Sequence, residues 1–170
     1  MRIRRSKDHS IGEDLIKGAI AGAVATWVMG KVTNALYQRE DRWARKREDS
    51  ARGGKTAYGV LAEKAAAAMG GTLDDRSREQ YGAAAHWALG IGAGAMYAVL
   101  RRRFHLLGRA AGVGFGTVFW AAVDEGLVPA LGLTPGPGAF PWQTHARGLA
   151  GHLSFGTVTD GTLRLLDAVV

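Results

Sequence analysis

Seven ionisable side chains, Lys31, His86, Asp124, Glu125, Arg147, His152 and Asp160, stand in or beside long runs that are otherwise apolar. Histidine changes charge between pH 5 and 8, and carboxylates next to it can pass protons or carry an ion, so the chemistry within reach is a proton or ion path. Counted along helices at about 1.5 Å per residue, all but Asp160 fall in the half nearest a proline-rich loop. With the histidines neutral, Lys31 and Arg147 balance Asp124 and Glu125. That balance equally suits a charge-compensated plug that holds helix ends together, and the plug stands ahead because groups this near an interface are readily hydrated. Asp160 lies deeper toward the opposite end, with Arg164 one turn later as a local partner, and is the residue with the strongest claim to a function.

Catalytic signatures are missing. Gly53 to Thr56, "GGKT", imitates the end of a phosphate-binding loop, but the required first glycine would be position 49, which is Asp49. "GIGAG" and "GVGFG" lack the spacing of a dinucleotide fingerprint. No Ser, His and Asp arrangement is recognisable, and His-x-x-x-His does not occur. The absence of cysteine removes disulfides, thiolate metal sites and cysteine nucleophiles. A non-enzymatic protein without cofactor or metal is therefore expected.

The elements that must position these residues are helices. At 170 residues the chain fits one domain. Four runs are long and poor in charge: 15–37, 81–100, 106–128 and 144–166. Tyr81 to Leu100 is the cleanest, with His86 as its one titratable group before Arg101, Arg102 and Arg103. The third and fourth are marginal by hydropathy, since Asp or Arg at a helix centre costs about 2.5–3.5 kcal/mol on insertion scales.

Small residues recur every four positions. Gly18, Gly22 and Gly30 do so with Thr26, and Gly82, Gly90 and Gly94 do so with His86. Gly112 and Gly116 precede Trp120 and Asp124 at the same interval; Gly148 and Gly156 alternate with His152 and Asp160. Residues four apart share a helix face, and small ones let backbones approach. In water a helical glycine costs about 1 kcal/mol against alanine, so four striped helices argue for a bilayer. The expected fold is all-α, a four-helix transmembrane bundle; its competitor is a soluble bundle with an Ala/Gly-rich core.

Residues 38–80 carry ten basic and eight acidic side chains. Within them Tyr58, Leu61, Ala65 and Met69 fall at helical intervals, which predicts a short amphipathic helix on the membrane or capping the bundle. Residues 129–142 hold all four prolines and no charge, and read as a rigid cap whose Phe140 and Trp142 suit the headgroup level. The formal charge of +7 permits nucleic-acid binding, yet the basic residues cluster as membrane flanks do, so lipid is the expected partner and nucleic acid is not. Arg2, Arg4, Arg5 and Lys7, with the arginines of 101–109, place both termini on the cytoplasmic side.

"GLTP" at Gly132 to Pro135, "PW" at Pro141-Trp142 and "GH" at Gly151-His152 resemble the YagU-type bacterial inner-membrane proteins. The resemblance implies a multi-pass inner-membrane location and a bacterial source, and no catalytic residues. Two functions follow. The first is a small membrane protein acting through helix packing, lipid, a homo-oligomer or a partner protein, with histidines that make it pH-responsive in membrane or acid-stress physiology. The alternative is a small ion, proton or solute transporter or channel subunit that uses the His/Asp/Glu cluster.

Overall fold

The computed structural model describes residues 10–104 and 110–169, and every regular element among them is helical. The expectations placed on residues 1–9 and on 105–109 lie outside the described residues.

The first four helices each begin at a side chain that accepts an otherwise orphaned backbone N–H. Ser10 Oγ accepts from Glu13 at 3.1 Å and starts α1, Ile11–Arg39, with Glu13 and Asp14 against the positive end of the helix dipole. Asp41 starts α2, Arg42–Arg52, which stops at Gly53 in the left-handed conformation, φ +58°. Thr56 Oγ1 accepts from Gly59 at 3.0 Å and starts α3, Ala57–Ala68. "GGKT" is thus a helix stop followed by a helix start. Asp74 starts α4, Asp75–Arg103.

After Gly112, α5 runs over Val113–Trp120 and widens into a π-helical segment, Ala121–Leu127, before a last turn at Val128–Ala130. Val128 N–H donates to the carbonyl of Val123, five residues back. Pro129 follows at once and cannot donate to the carbonyl of Glu125, so the wider turn sits where regular helix bonding would have failed. Gly132, φ +62°, ends the helix, and Leu133 folds back to donate to the Val128 carbonyl at 3.0 Å with its side chain buried. This gives "GLTP" its physical meaning as a stop signal. A 3-10 turn, Pro137–Ala139, leads to α6, Trp142–Val169.

α1 packs on both α4 and α6, α5 packs on α6, and α3 packs on α4. The contacts are made by backbones. A Cβ on Gly22 would lie 2.5 Å from the Gly90 carbonyl oxygen, and one on Gly94 would lie 2.5 Å from both the Gly18 carbonyl and Gly22 Cα. Between α5 and α6, a Cβ on Gly116 would meet the His152 carbonyl at 2.2 Å, and one on Gly156 the Gly112 carbonyl at 2.1 Å. Gly82 lies against Gly59 of α3, and Gly148 against the Trp120 ring. Gly30, expected in the same stripe as Gly22, has open space around it and belongs to no helix contact. Thr26, one turn earlier, still meets Gly90 of α4, so the close contact of this face ends between residues 26 and 30.

Where the backbones diverge, larger side chains fill the gap. Tyr97 of α4, Phe115 and Phe119 of α5 and Phe155 of α6 form an aromatic core with successive centroid distances of 4.8, 5.6 and 5.7 Å.

Two helices, Ile11–Arg39 and Asp75–Arg103, are long and apolar enough to cross a membrane, each with a mean hydropathy of 1.3 over its best window. α5 is too short on its own, and α6 carries Arg147, Asp160, Arg164 and Asp167. The helix expected over Thr56 to Met69 forms over Ala57–Ala68, with Ala57 and Gly59 buried and Leu61 and Met69 exposed. Its partner is the glycine face of α4, which admits small residues and excludes the larger ones.

Candidate functional site

A cavity of about 630 Å³ lies among α1, α4, α5 and α6 at the end of the molecule that carries the proline-rich loop, with α2, α3 and that loop around it. His86, Asp124, Glu125 and Arg147 line it. The structure places His152 directly behind, with Nδ1 3.6 Å from Asp124 Oδ2. Lys31 is elsewhere: it is exposed, and its ammonium lies 5.7 Å from the centre of the Trp27 ring. Asp160 belongs to the opposite end.

Because Lys31 is absent, the anticipated charge balance is not the one that forms. Arg147 turns toward the charged linker instead. It donates to Glu40 through Nη1 and to Glu48 Oε2 through Nη2, the latter at 2.5 Å. Glu48 also accepts from Arg52 Nε at 2.9 Å and from Thr144 Oγ1 at 2.9 Å. Two guanidiniums and two carboxylates therefore neutralise one another across α1, α2 and α6. Burial acts to push the Glu48 carboxyl up, but the Arg147 hydrogen bond, the Arg52 charge and the Thr144 hydroxyl together hold it below the ordinary glutamate value.

The carboxylates of the π segment are left to histidines. Glu125 Oε1 lies 2.7 Å from His145 Nδ1, while His145 Nε2 lies 3.1 Å from the Pro137 carbonyl oxygen, so both ring nitrogens face acceptors. His152 Nδ1 is 3.0 Å from the Gly148 carbonyl oxygen, within its own helix. A neutral His152 protonated there donates to that carbonyl, and Asp124 then has no hydrogen-bond donor among the described residues. The wide turn is what sets Asp124 and Glu125 toward the cavity at neighbouring positions; π segments recur at functional sites for this kind of reorientation.

The remaining wall is aromatic. Tyr58 of α3 packs on His86 with ring centroids 5.0 Å apart, and Trp120 lies on the α5 side. Burial, and after it the charge of Asp124, pushes the Tyr58 hydroxyl up to about 12, so it stays neutral. Phe140 of the loop is covered by the Arg52 guanidinium at 5.5 Å.

At the other end Asp160 is 1% exposed and sits in a second ionic network. It accepts from Tyr97 Oη at 2.9 Å and from Arg164 Nε at 2.6 Å, and Arg101 Nη1 lies 3.6 Å away. Asp167 is held by Arg101 and, at 3.1 Å, by Arg102, whose Nε donates to Asp14 at 2.7 Å. Lys17 lies 2.6 Å from Glu13 and 3.5 Å from Asp167. Four acids face four bases, and the start of α1, the end of α4 and the end of α6 are fastened together.

Glu40, Glu48, Tyr58 and His145 are the participants that sequence reasoning missed. Glu40 and Glu48 pair with Arg147 across 107 and 99 residues of chain, which no local pattern announces. His145 could have been found, since it lies two helical turns before His152 on the same helix, three residues after the Trp of "PW". Among the described residues, no group of three or more His, Cys, Asp or Glu side chains gathers as a metal site would require.

Comparison with curated proteins and with solved structures returns no match. Residues 58–160, which run from the aromatic wall of the cavity to the buried aspartate of the opposite end, match the family described as "Protein of unknown function (DUF1440)", and the chain belongs to that family.

Proposed function

We propose that the chain is a small, non-enzymatic multi-pass protein of the bacterial inner membrane. It crosses four times as a helical bundle, has both termini in the cytoplasm, and carries a polar, histidine-containing chamber at its outer end. The observation that carries this reading is an inversion of side-chain size. On α1 the residues against other helices are Gly18, Ala21, Gly22 and Ala25, whereas Ile16, Ile20, Val24 and Trp27 are exposed. In water such a helix would leave its largest apolar side chains unburied; lipid accepts them, and small residues at the contacts are what drives packing there. Only 33% and 28% of the two apolar windows are buried, although the core helix of a soluble protein is mostly buried. Hydroxyls conform too: Thr26, Thr33, Thr117 and Thr159 each donate to the carbonyl four residues back, which satisfies them without water.

The ionic end, with Arg101 and Arg102, faces the cytoplasm by the excess of basic residues. Asp167 at the end of α6 lies beside Lys17 at the start of α1, in keeping with termini on one side. The likeness of "GLTP", "PW" and "GH" to YagU-type proteins points to the same membrane. Carbonate extraction and reporter fusions after Tyr37, Arg103, Trp142 and Val170 test this. The expected result is a membrane pellet with Arg103 and Val170 inside and Tyr37 and Trp142 outside; recovery in the soluble fraction overturns it.

The cavity favours a second reading, a small ion, proton or solute transporter or channel subunit. Reconstitution in liposomes separates the two. A flux abolished by Asp160→Asn or His152→Ala supports transport, and no flux from a correctly assembled protein supports the first reading.

A further inference from the structure

We infer that the chamber under the proline-rich loop is a binding site for a small organic cation of the ammonium class, held by the Asp124 carboxylate between the rings of Tyr58 and Trp120. This rests on the chamber described above and names what enters it.

Charge is the first argument. Among the described residues, the charged groups around the cavity are paired except Asp124 and the exposed Glu79. Glu48 is neutralised by Arg52 and Arg147, and Arg147 is shared with Glu40. Glu125 has His145 at 2.7 Å. Glu79 stands exposed. Asp124 has His152 at 3.6 Å, and that imidazole has its closer contact with the Gly148 carbonyl. A carboxylate on a half-enclosed wall with no donor of its own draws a cation, and it repels an anion that the two engaged arginines cannot reach to hold.

The walls decide which cation. At about 630 Å³ the space suits an organic ligand and is far larger than a bare ion needs. The π faces of Tyr37, Trp43 and Phe140 are each already occupied by an arginine, and that of Trp27 by Lys31. Tyr58 and Trp120, the two large aromatic rings on the cavity wall beside Asp124, carry no cation among the described residues. Aromatic faces beside a carboxylate are the recognition chemistry of alkylammonium groups. A hydrated inorganic cation would gain little from those rings.

The test uses the full chain, purified in detergent, with choline as the probe and its uncharged isostere 3,3-dimethyl-1-butanol as the control, both followed by titration calorimetry. Saturable choline binding, at least tenfold tighter than the isostere and weakened at least tenfold in Asp124→Asn, is expected. Equal binding of the two compounds, no binding of choline, preferential binding of acetate, or an unaltered affinity in Asp124→Asn would each overturn it. The isostere comparison needs no variant, so it decides the matter even if Asp124→Asn does not fold. Failure here leaves the membrane reading intact when the same preparation is recovered from carbonate-washed membranes. Choline binding by a chain that fractionates as soluble sinks only the membrane reading.

Discussion

The Tyr97 hydroxyl donates to Asp160 at 2.9 Å, and together with Arg101 beside the same carboxylate this contact joins α4 to α6, whose backbones lie mostly apart. Tyr97 also belongs to the aromatic core, so one side chain links the apolar centre to the ionic end. Tyr97→Phe keeps the ring and removes the donor. Hydrogen bonds between membrane helices average about 0.6 kcal/mol and reach about 1.7 kcal/mol, and a loss in that range is expected on unfolding in detergent. Asp160→Asn should cost more, because Arg101 and Arg164 lose a shared counter-charge. A double-mutant cycle reads the coupling directly.

Helix contact through glycine predicts an asymmetry within one stripe. Gly22→Val drives its side chain into α4 backbone and should destabilise by about 1–3 kcal/mol or prevent assembly altogether. Gly30→Ala, in the same expected stripe but with no neighbour within 4 Å, should be neutral or slightly stabilising, since alanine is the better helix former. Thermal unfolding of the two variants side by side checks this.

Arg147 is the tie between α6 and the linker. Arg147→Ala leaves Glu40 and Glu48 without their common partner in a buried setting, a change that typically costs about 3–5 kcal/mol. Loss of protease resistance in residues 40–55 is the expected signature, with α1 and α4 unaffected.

Stability should fall in acid through Glu48. Its folded-state carboxyl titrates below the unfolded value of 4.5, so the folded protein holds the ionised form more strongly than the unfolded chain does. That contribution is complete above the unfolded value and disappears as pH drops through the folded one. Melting temperature followed from pH 7 to pH 3 should therefore decline at the acid end, and Glu48→Gln should start lower and show a shallower decline.

The glycine repeats marked the helix faces open to close approach, and not which helices would meet, because close approach of helices leaves a four-residue period in the residues with no side chain to spare. Gly30 and Lys31 show where that logic ends: a period says which residues share a face, and nothing about where along that face the contact stops. α2 escaped notice because "RWARKREDSAR" has no apolar stripe; the bracket of Asp41 before it and Gly53 after it was the available sign. His86, Asp124, Glu125 and Arg147 could be grouped from their distance to the proline-rich loop, yet their pairing could not. Which charge neutralises which depends on the linker folding back, and a chain of mixed sign offers many equivalent partners.

The π segment can also be seen as one residue more than an α-helix would use over Ala121–Leu127. It works as a phase shift between two halves of a single rod: the half before it is locked by Gly112 and Gly116 against α6, and the half after it is anchored by buried Val128 and Leu133 beside α3. Removing Gly126 would restore α-helical bonding with the two locks still nearly in step, whereas α-helical bonding with all seven residues kept would turn one half against the other by one residue, about 100° of rotation. The chain would then have to give up either its grip on α6 or the floor under its proline-rich loop.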